Sequence, residues 1–190
     1  MKDRIATPEA IRERIWMELR RAALDRHHEW RTPALSTLAL DGTPDARTVV
    51  LRNAEMESAC LRFFTDARSQ KIAQLAAQPQ ASLLFWSTRL NWQLRMRVSI
   101  TILTSGLEVE SVWERVKQSA AAGDYTSALA PGQKRPANET APADAHQRQQ
   151  QEHHLAILIA DVEEIDWLEL SRDGHRRARL SADHFDWLVP

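Results

Sequence analysis

The chain has 190 residues, of which 43% are apolar and 27% charged, enough for one domain with a full core and ordinary for a globular protein. Its net charge is −1, which excludes a general basic field for nucleic acid or an anionic membrane and leaves any anion site to local donors. Cys60 is the only cysteine, so an internal disulfide framework and a multi-cysteine zinc site are excluded, and in "SACLRFF" it reads as a packing residue.

In chain order, "MKDRIATPEAIRERIW" is too charged for a signal peptide, and no apolar run reaches membrane-spanning length; the expectation is a cytoplasmic protein. Thr7–Pro8–Glu9 reads as a helix start, with threonine as cap and proline in the first turn. Ile11, Ile15 and Leu19 follow at helical spacing, predicting an amphipathic helix to about His28. "ALSTLAL" alternates and ends at Asp41–Gly42, a hairpin signal, so Ala46–Asn53, "ARTVVLRN", is expected as the returning strand. "ACLRFFT" and "ASLLFWS" are two further strands, with the helix of "SQKIAQLAAQ" between them, stopped by Gln78–Pro79. Asn91–Leu103 is a long strand with Trp92, Leu94, Met96 and Val98 on one face and Gln93, Arg95, Arg97 and Ser99 on the other. "LEVESVWERVKQSAAA" predicts another helix. From residue 123 to 154 the composition turns polar and rich in Pro, Ala and Gln, an exposed excursion. A last hairpin turns around Arg172–Asp173–Gly174, and "FDWLVP" closes the chain. Hairpin-linked strands with interleaved helices predict a mainly β, α+β fold, an antiparallel barrel with helical covers.

The junction in "RFFTDARSQKIAQL" gathers Thr65, Ser69 and Lys71 where a strand gives way to a helix N-terminus, whose free N–H groups and dipole suit an oxyanion. The alternative is that Asp66 or Ser69 caps the helix and Lys71 is solvated. In "RTVVLR", Arg47, Val49 and Leu51 share one face and Thr48, Val50 and Arg52 the other, so an arginine there either clamps a phosphate or edges the sheet. Gln93 is either a partner for a planar heterocycle or a structural amide. Trp167 packs a ring or the core, and Arg177 and Arg179 share a face of "HRRAR". The pairs His27–His28 and His153–His154 lack the spacing of a zinc helix, so no metal is expected. G-x-S-x-G, P-loop and Rossmann fingerprints do not occur.

In order, "DGTPDARTVVLR", "LRFFTDARSQKIAQLAAQPQASLLFW", "NWQLRMRV" and a terminal "DWLEL…HRRARL…WLVP" make the chain similar to the pyridoxamine 5′-phosphate oxidase-like family of FMN-binding split barrels. The resemblance is close from Leu35 to about Val98 and weaker at the C-terminus. It implies that residues 1–190 form one FMN-binding split-barrel domain, with an N-terminal helical cover over 1–30, and a homodimer holding FMN at the subunit interface. It implies FMN contacts from Arg47, Thr48, Val49, Val50, Leu51 and Arg52, from Phe64 and Thr65, and from Ser69, Gln70 and Lys71, where Gln70 replaces an arginine. It further points to Gln93, to Gln133 and Lys134 lent by the partner subunit, to Trp167, and to Arg179 with Arg177 as the alternative. Members that oxidise pyridoxamine phosphate carry a lysine where this chain has Arg52, an R-x-H on the last hairpin and a tyrosine on the helix after the long strand; this chain departs from all three. The expectation is therefore an FMN-dependent oxidoreductase of unassigned substrate, with Arg52 available for a substrate anion and no catalytic residue assigned. The alternative is a split barrel that binds or senses flavin, or haem, without turnover.

Overall fold

A computed structural model describes residues 7–134 and 153–190. The alternating segments form nine strands among these residues: β1 Ala34–Leu38, β2 Pro44–Thr48, β3 Leu51–Glu55, β4 Cys60–Asp66, β5 Gln80–Ser87, β6 Trp92–Leu103, β7 Leu155–Glu169, β8 Arg176–Leu180 and β9 Phe185–Leu188. They pair in the order β2-β1-β5-β6-β7-β4-β3, with β8 added to β7 and β9 to β8. The two ends of this path, β2 and β3, are neighbours in the chain, separated only by Val49 and Val50. Three peptide steps reach roughly 10 Å at most. The sheet must therefore curl until its edges almost meet, which makes an antiparallel split barrel.

The single strand expected over Ala46–Asn53 is thus two. The run changes partners at Val49–Val50, leaving β1 for β4, and the Val49 N–H donates to the Pro33 carbonyl at 3.0 Å. The period of two survives the change: Val49 and Leu51 are buried, while Thr48 is exposed and Arg52 half-buried. β7 makes the second division. Its first half pairs with β4 and its last residues with β8. Arg97 faces Glu164 but Val98 faces Val162, so Glu163 is an extra residue, a bulge that bends the strand between the two partners.

Among the described residues four helices dress the barrel: α1 Pro8–Leu24, α2 Gln70–Ala77, α3 Leu107–Val116 and α4 Gly123–Thr126. Thr7 caps α1 as expected, its hydroxyl accepting the Ala10 N–H at 3.2 Å. The helix stops four residues short of His28, because Asp25 is extended and its carboxylate accepts the His27 N–H at 2.9 Å in a tight turn. Ile11, Ile15, Trp16 and Leu19 seat α1 on the main core, with Leu51, Phe63, Phe85, Leu94 and Met96 among the residues beneath. α3 is shorter than the "LEVESVWERVKQSAAA" run; a 3-10 turn at Ala120–Ala122 and α4 follow it, so the polar excursion begins later than residue 123. Residues 135–152 of that excursion lie outside the described residues. Val109, Val112 and Tyr125 pack with Leu155 and Ile157 in a second, smaller core.

Candidate functional site

β4 ends and α2 begins where the sequence placed its junction. Thr65 and Ser69 are both buried, their hydroxyls 3.4 Å apart. Between them reaches Lys71, whose ammonium donates to the Thr65 hydroxyl at 2.9 Å and to the Ser69 hydroxyl at 3.0 Å. Among the described residues no carboxylate forms an ion pair with it. Burial pushes the Lys71 ammonium below the ordinary lysine pKa, and the nearby charge of Arg47 pushes it the same way, against Asp66 and Asp45. Ser69 stands at the N-cap of α2, yet its hydroxyl accepts none of the first helical N–H groups. Asp66 is occupied elsewhere: its carboxylate takes the Arg68 N–H at 2.7 Å and pairs with the Arg68 guanidinium, also at 2.7 Å. The capped helix with a solvated lysine is therefore not what forms. The corner instead holds a half-buried cation, two hydroxyls and an uncapped helix end.

Beside it, Arg47 on β2 bonds to Thr37 and to Asp45, and donates to the Gln74 side chain at 2.9 Å. Gln74, buried on α2, also donates to Asp45 at 2.9 Å and accepts from the Thr37 hydroxyl at 2.6 Å. This network ties α2 to the β1–β2 hairpin and fixes Lys71 through its helix. Thr37, Asp45 and Gln74 escaped the sequence reading. A glutamine on the apolar side of α2, next to Leu75, was the available signal. Gln70 is exposed, and its side chain lies beside Gly132. Gln133 sits in that same turn of its own chain, its side-chain oxygen accepting the Ala130 N–H at 3.1 Å, and Lys134 is exposed beside it.

The remaining expected residues fall in three other places. Arg52 and Phe64 point to the α3 side of the sheet, the guanidinium 5.5 Å from the ring centroid. Val49 and Leu51 belong to the main core and Val50 is half-buried. Gln93 lies on the outward face, in a cross-strand row with Trp86, Leu168 and Arg177. There Arg177 pairs with Asp166 at 2.7 Å, while Arg179 lies 3.6 Å from Glu164 and is half exposed. Trp167 is 0% exposed and stands edge-on to Trp92 with ring centroids 5.2 Å apart, a core position.

Residues 13–104, which contain the whole corner, match the family model described as pyridoxamine 5'-phosphate oxidase, FMN-binding domain. Over these residues the chain is similar to this FMN-binding, pyridoxamine 5′-phosphate oxidase-like family. FMN is its cofactor, and the donor set of the corner suits a phosphate monoester. Among curated relatives, a pyridoxine/pyridoxamine 5'-phosphate oxidase of Hyphomonas neptunium is 34% identical over 121 residues, 64% of this chain and 51% of the relative. One of Thermosynechococcus vestitus is 42% identical over 66 residues, 35% of this chain and 30% of the relative. The chain thus spans about half the length, or less, of the curated relatives it matches. Of solved structures, a pyridoxamine 5'-phosphate oxidase-related, FMN binding protein from Nostoc punctiforme superposes with a TM-score of 0.73 at 22% identity, covering 98% of this chain and 100% of that one. PhzG from Burkholderia lata, solved with tetrahydrophenazine-1-carboxylic acid, gives 0.70 at 19% identity, covering 99% and 95%. Both likenesses bear on the fold, and both are split barrels in outline with this one. Among the described residues no helix is long and apolar enough to cross a membrane.

Proposed function

We propose that the protein is a cytoplasmic FMN-dependent oxidoreductase that works as a homodimer on a substrate other than the pyridoxamine phosphate of the family's namesake. One observation carries the cofactor part of this reading: Lys71 is held by two hydroxyls with no carboxylate partner among the described residues. A half-buried cation left in this state is stabilised by an anion brought from outside. The Thr65 and Ser69 hydroxyls can donate to the same phosphate once Lys71 turns to it, and Arg47 stands close enough to lower the Lys71 pKa. The α2 N-terminus adds its dipole. Bound FMN supplies hydride acceptance and return at its isoalloxazine ring.

The chain's own residues then bind, orient and exclude. Gln93 is assigned a hydrogen bond to the ring edge. Its outward row carries Trp86, 42% exposed, and Leu84 beside it is equally exposed; a second copy of the chain on this face would cover both. Arg52 is assigned to the substrate anion. Its replacement of a lysine, with the missing R-x-H and tyrosine, supports a substrate unlike pyridoxamine phosphate. A single cysteine kept as a free, buried thiol agrees with a reducing compartment.

The test is the spectrum and mass of purified protein. Yellow protein with one FMN per chain, sedimenting as a dimer, is the expected result. Colourless protein that takes up no added FMN overturns the cofactor reading, and a monomer with full FMN content overturns the dimer. Bleaching of the flavin by an electron donor, followed by its return in air, distinguishes an oxidoreductase from a flavin store.

A further inference from the structure

The groove between the β3–β4 hairpin and α3 is lined by arginines, Arg31 and Arg52 among them, and a guanidinium in a protein keeps its proton and attacks nothing. Lys71 is a different kind of cation, because an amine that gives up its proton becomes a nucleophile. The surface lysines of this chain have no cause to do so. Lys117, after α3, pairs with Glu114 at 2.6 Å, and Lys134 is exposed. Lys71 is half-buried, and among the described residues its ammonium is bonded to neutral oxygens alone, the Thr65 hydroxyl at 2.9 Å and the Ser69 hydroxyl at 3.0 Å. Gln74, one turn further along α2, accepts from the Arg47 guanidinium at 2.9 Å, which tethers a second cation to the helix face that carries Lys71. Burial lowers the Lys71 pKa and the charge of Arg47 lowers it further, so the free amine is reached at a lower pH than an ordinary lysine allows.

A nucleophilic amine inside a phosphate-binding corner matches one class of reagent, the acyl phosphates. The corner holds the phosphate, through the buried Thr65 and Ser69 hydroxyls, and so presents the neighbouring carbonyl carbon to the amine. We propose that Lys71 is a modification site, acylated by small acyl phosphates when FMN does not occupy the corner. The Lys71 nitrogen forms a bond to the carbonyl carbon, and the bond from that carbon to the phosphate oxygen breaks. The phosphate leaves with the electron pair and takes up the proton that the amine releases. The products are an amide on Lys71 and inorganic phosphate, with no oxidant, reductant or further reactant consumed. The amide has lost the positive charge and gained bulk, so the corner no longer accepts FMN. Cofactor and acyl group therefore exclude each other, and acylation marks chains that have not taken up FMN.

The proposal rests on the reading of this corner as the FMN phosphate site, and its test separates the two. FMN uptake is measured first, by absorbance. The full chain, as purified and after removal of FMN, is then incubated with acetyl phosphate, and acetylated peptides are quantified by mass spectrometry. Lys117 and Lys134 are the internal references. In FMN-free protein Lys71 is expected to acetylate at least about tenfold faster than either, and added FMN or inorganic phosphate to slow it about tenfold. N-acetoxysuccinimide, an acyl donor without a phosphate, is expected to show a several-fold smaller preference for Lys71. Treated protein should lose most of its FMN uptake, whereas Lys71→Arg, compared with its own untreated sample, should lose none. Acetylation of Lys71 no faster than of Lys117, an equal preference with the phosphate-free donor, or full FMN uptake by the acetylated chain overturns the proposal, while FMN uptake by the untreated chain leaves the cofactor reading standing. Selective acetylation of Lys71 in protein that takes up no FMN has the opposite consequence: the cofactor reading falls and the acyl phosphate site stands.

Discussion

Two enclosed charges in this protein are treated in opposite ways. Glu18, on the buried face of α1, is 0% exposed and fully answered. Arg14 reaches it at 2.8 Å, Arg89 at 2.6 Å, Arg21 at 3.3 Å and His28 at 2.9 Å. Burial pushes its carboxyl pKa up, but the His28 hydrogen bond and the charges of Arg89 and Arg14 outweigh that and hold it below the usual range. Lys71 receives two neutral hydroxyls and no counter-charge among the described residues, and its pKa falls. The first arrangement joins α1, the turn after it and the β5–β6 turn into one body. The second leaves electrostatic demand unmet at a helix end. A charge that serves the fold brings its partners in the same chain; a charge that serves a ligand leaves a place for them.

Four measurements break or sharpen this contrast. The largest effect is expected from Glu18→Gln, which removes a buried carboxylate from several donors and should lower stability by about 2–4 kcal/mol. Denaturant unfolding measures it, and FMN affinity per folded molecule should stay within about twofold. Next comes Lys71→Met, expected to weaken FMN binding about 10- to 100-fold, read by quenching of flavin fluorescence. The melting temperature should hold or rise, since an enclosed cation has gone; a marked fall would make Lys71 a second Glu18.

The third measurement uses pH. Lys71 titrates below the ordinary lysine value near ~10.4. As pH rises through its lowered pKa the ammonium is lost, so FMN affinity should fall, by up to about tenfold, in wild type and not in Lys71→Arg. The FMN-free protein should gain stability over the same window, because there the unfolded chain still binds the proton and the folded one does not. Glu18 runs the other way: its contribution is present above about pH 4.3 and lost as pH falls through its depressed folded pKa. The smallest effect belongs to Gln70→Arg. An added cation at an exposed position beside the corner should tighten FMN by roughly two- to fivefold, and more at low salt.

Much of the corner was legible because its parts are close in the chain. Thr65, Ser69 and Lys71 lie within seven residues, so one strand end and one helix start suffice to bring them together. Asp41–Gly42 and Thr7–Pro8 act through their own backbone and were readable for the same reason; Gly42 has φ +85° and the Asp41 carboxylate accepts the Thr43 N–H at 3.0 Å. The division of "ARTVVLRN" was not readable. Both halves alternate in phase, and only the pairing of one with β1 and the other with β4 separates them. Arg31 is a sharper case. In sequence it is one charge in a polar stretch, and it lines the same groove as Arg52 only because the fold carries each of them there.

By itself the sequence determined the strand and helix types, the hairpin turns, the inward and outward faces of the strands, and the meeting of Thr65, Ser69 and Lys71. These follow from periodicity and local hydrogen bonding, which act over a few residues. Only the tertiary structure decided which strands close the barrel, that Gln74 and Asp45 hold Arg47, that Glu18 is answered where Lys71, among the described residues, is not, and that Arg31 and Arg52 line one groove. Each of those depends on desolvation and on charges brought together from distant parts of the chain, and neither is defined until the barrel has closed.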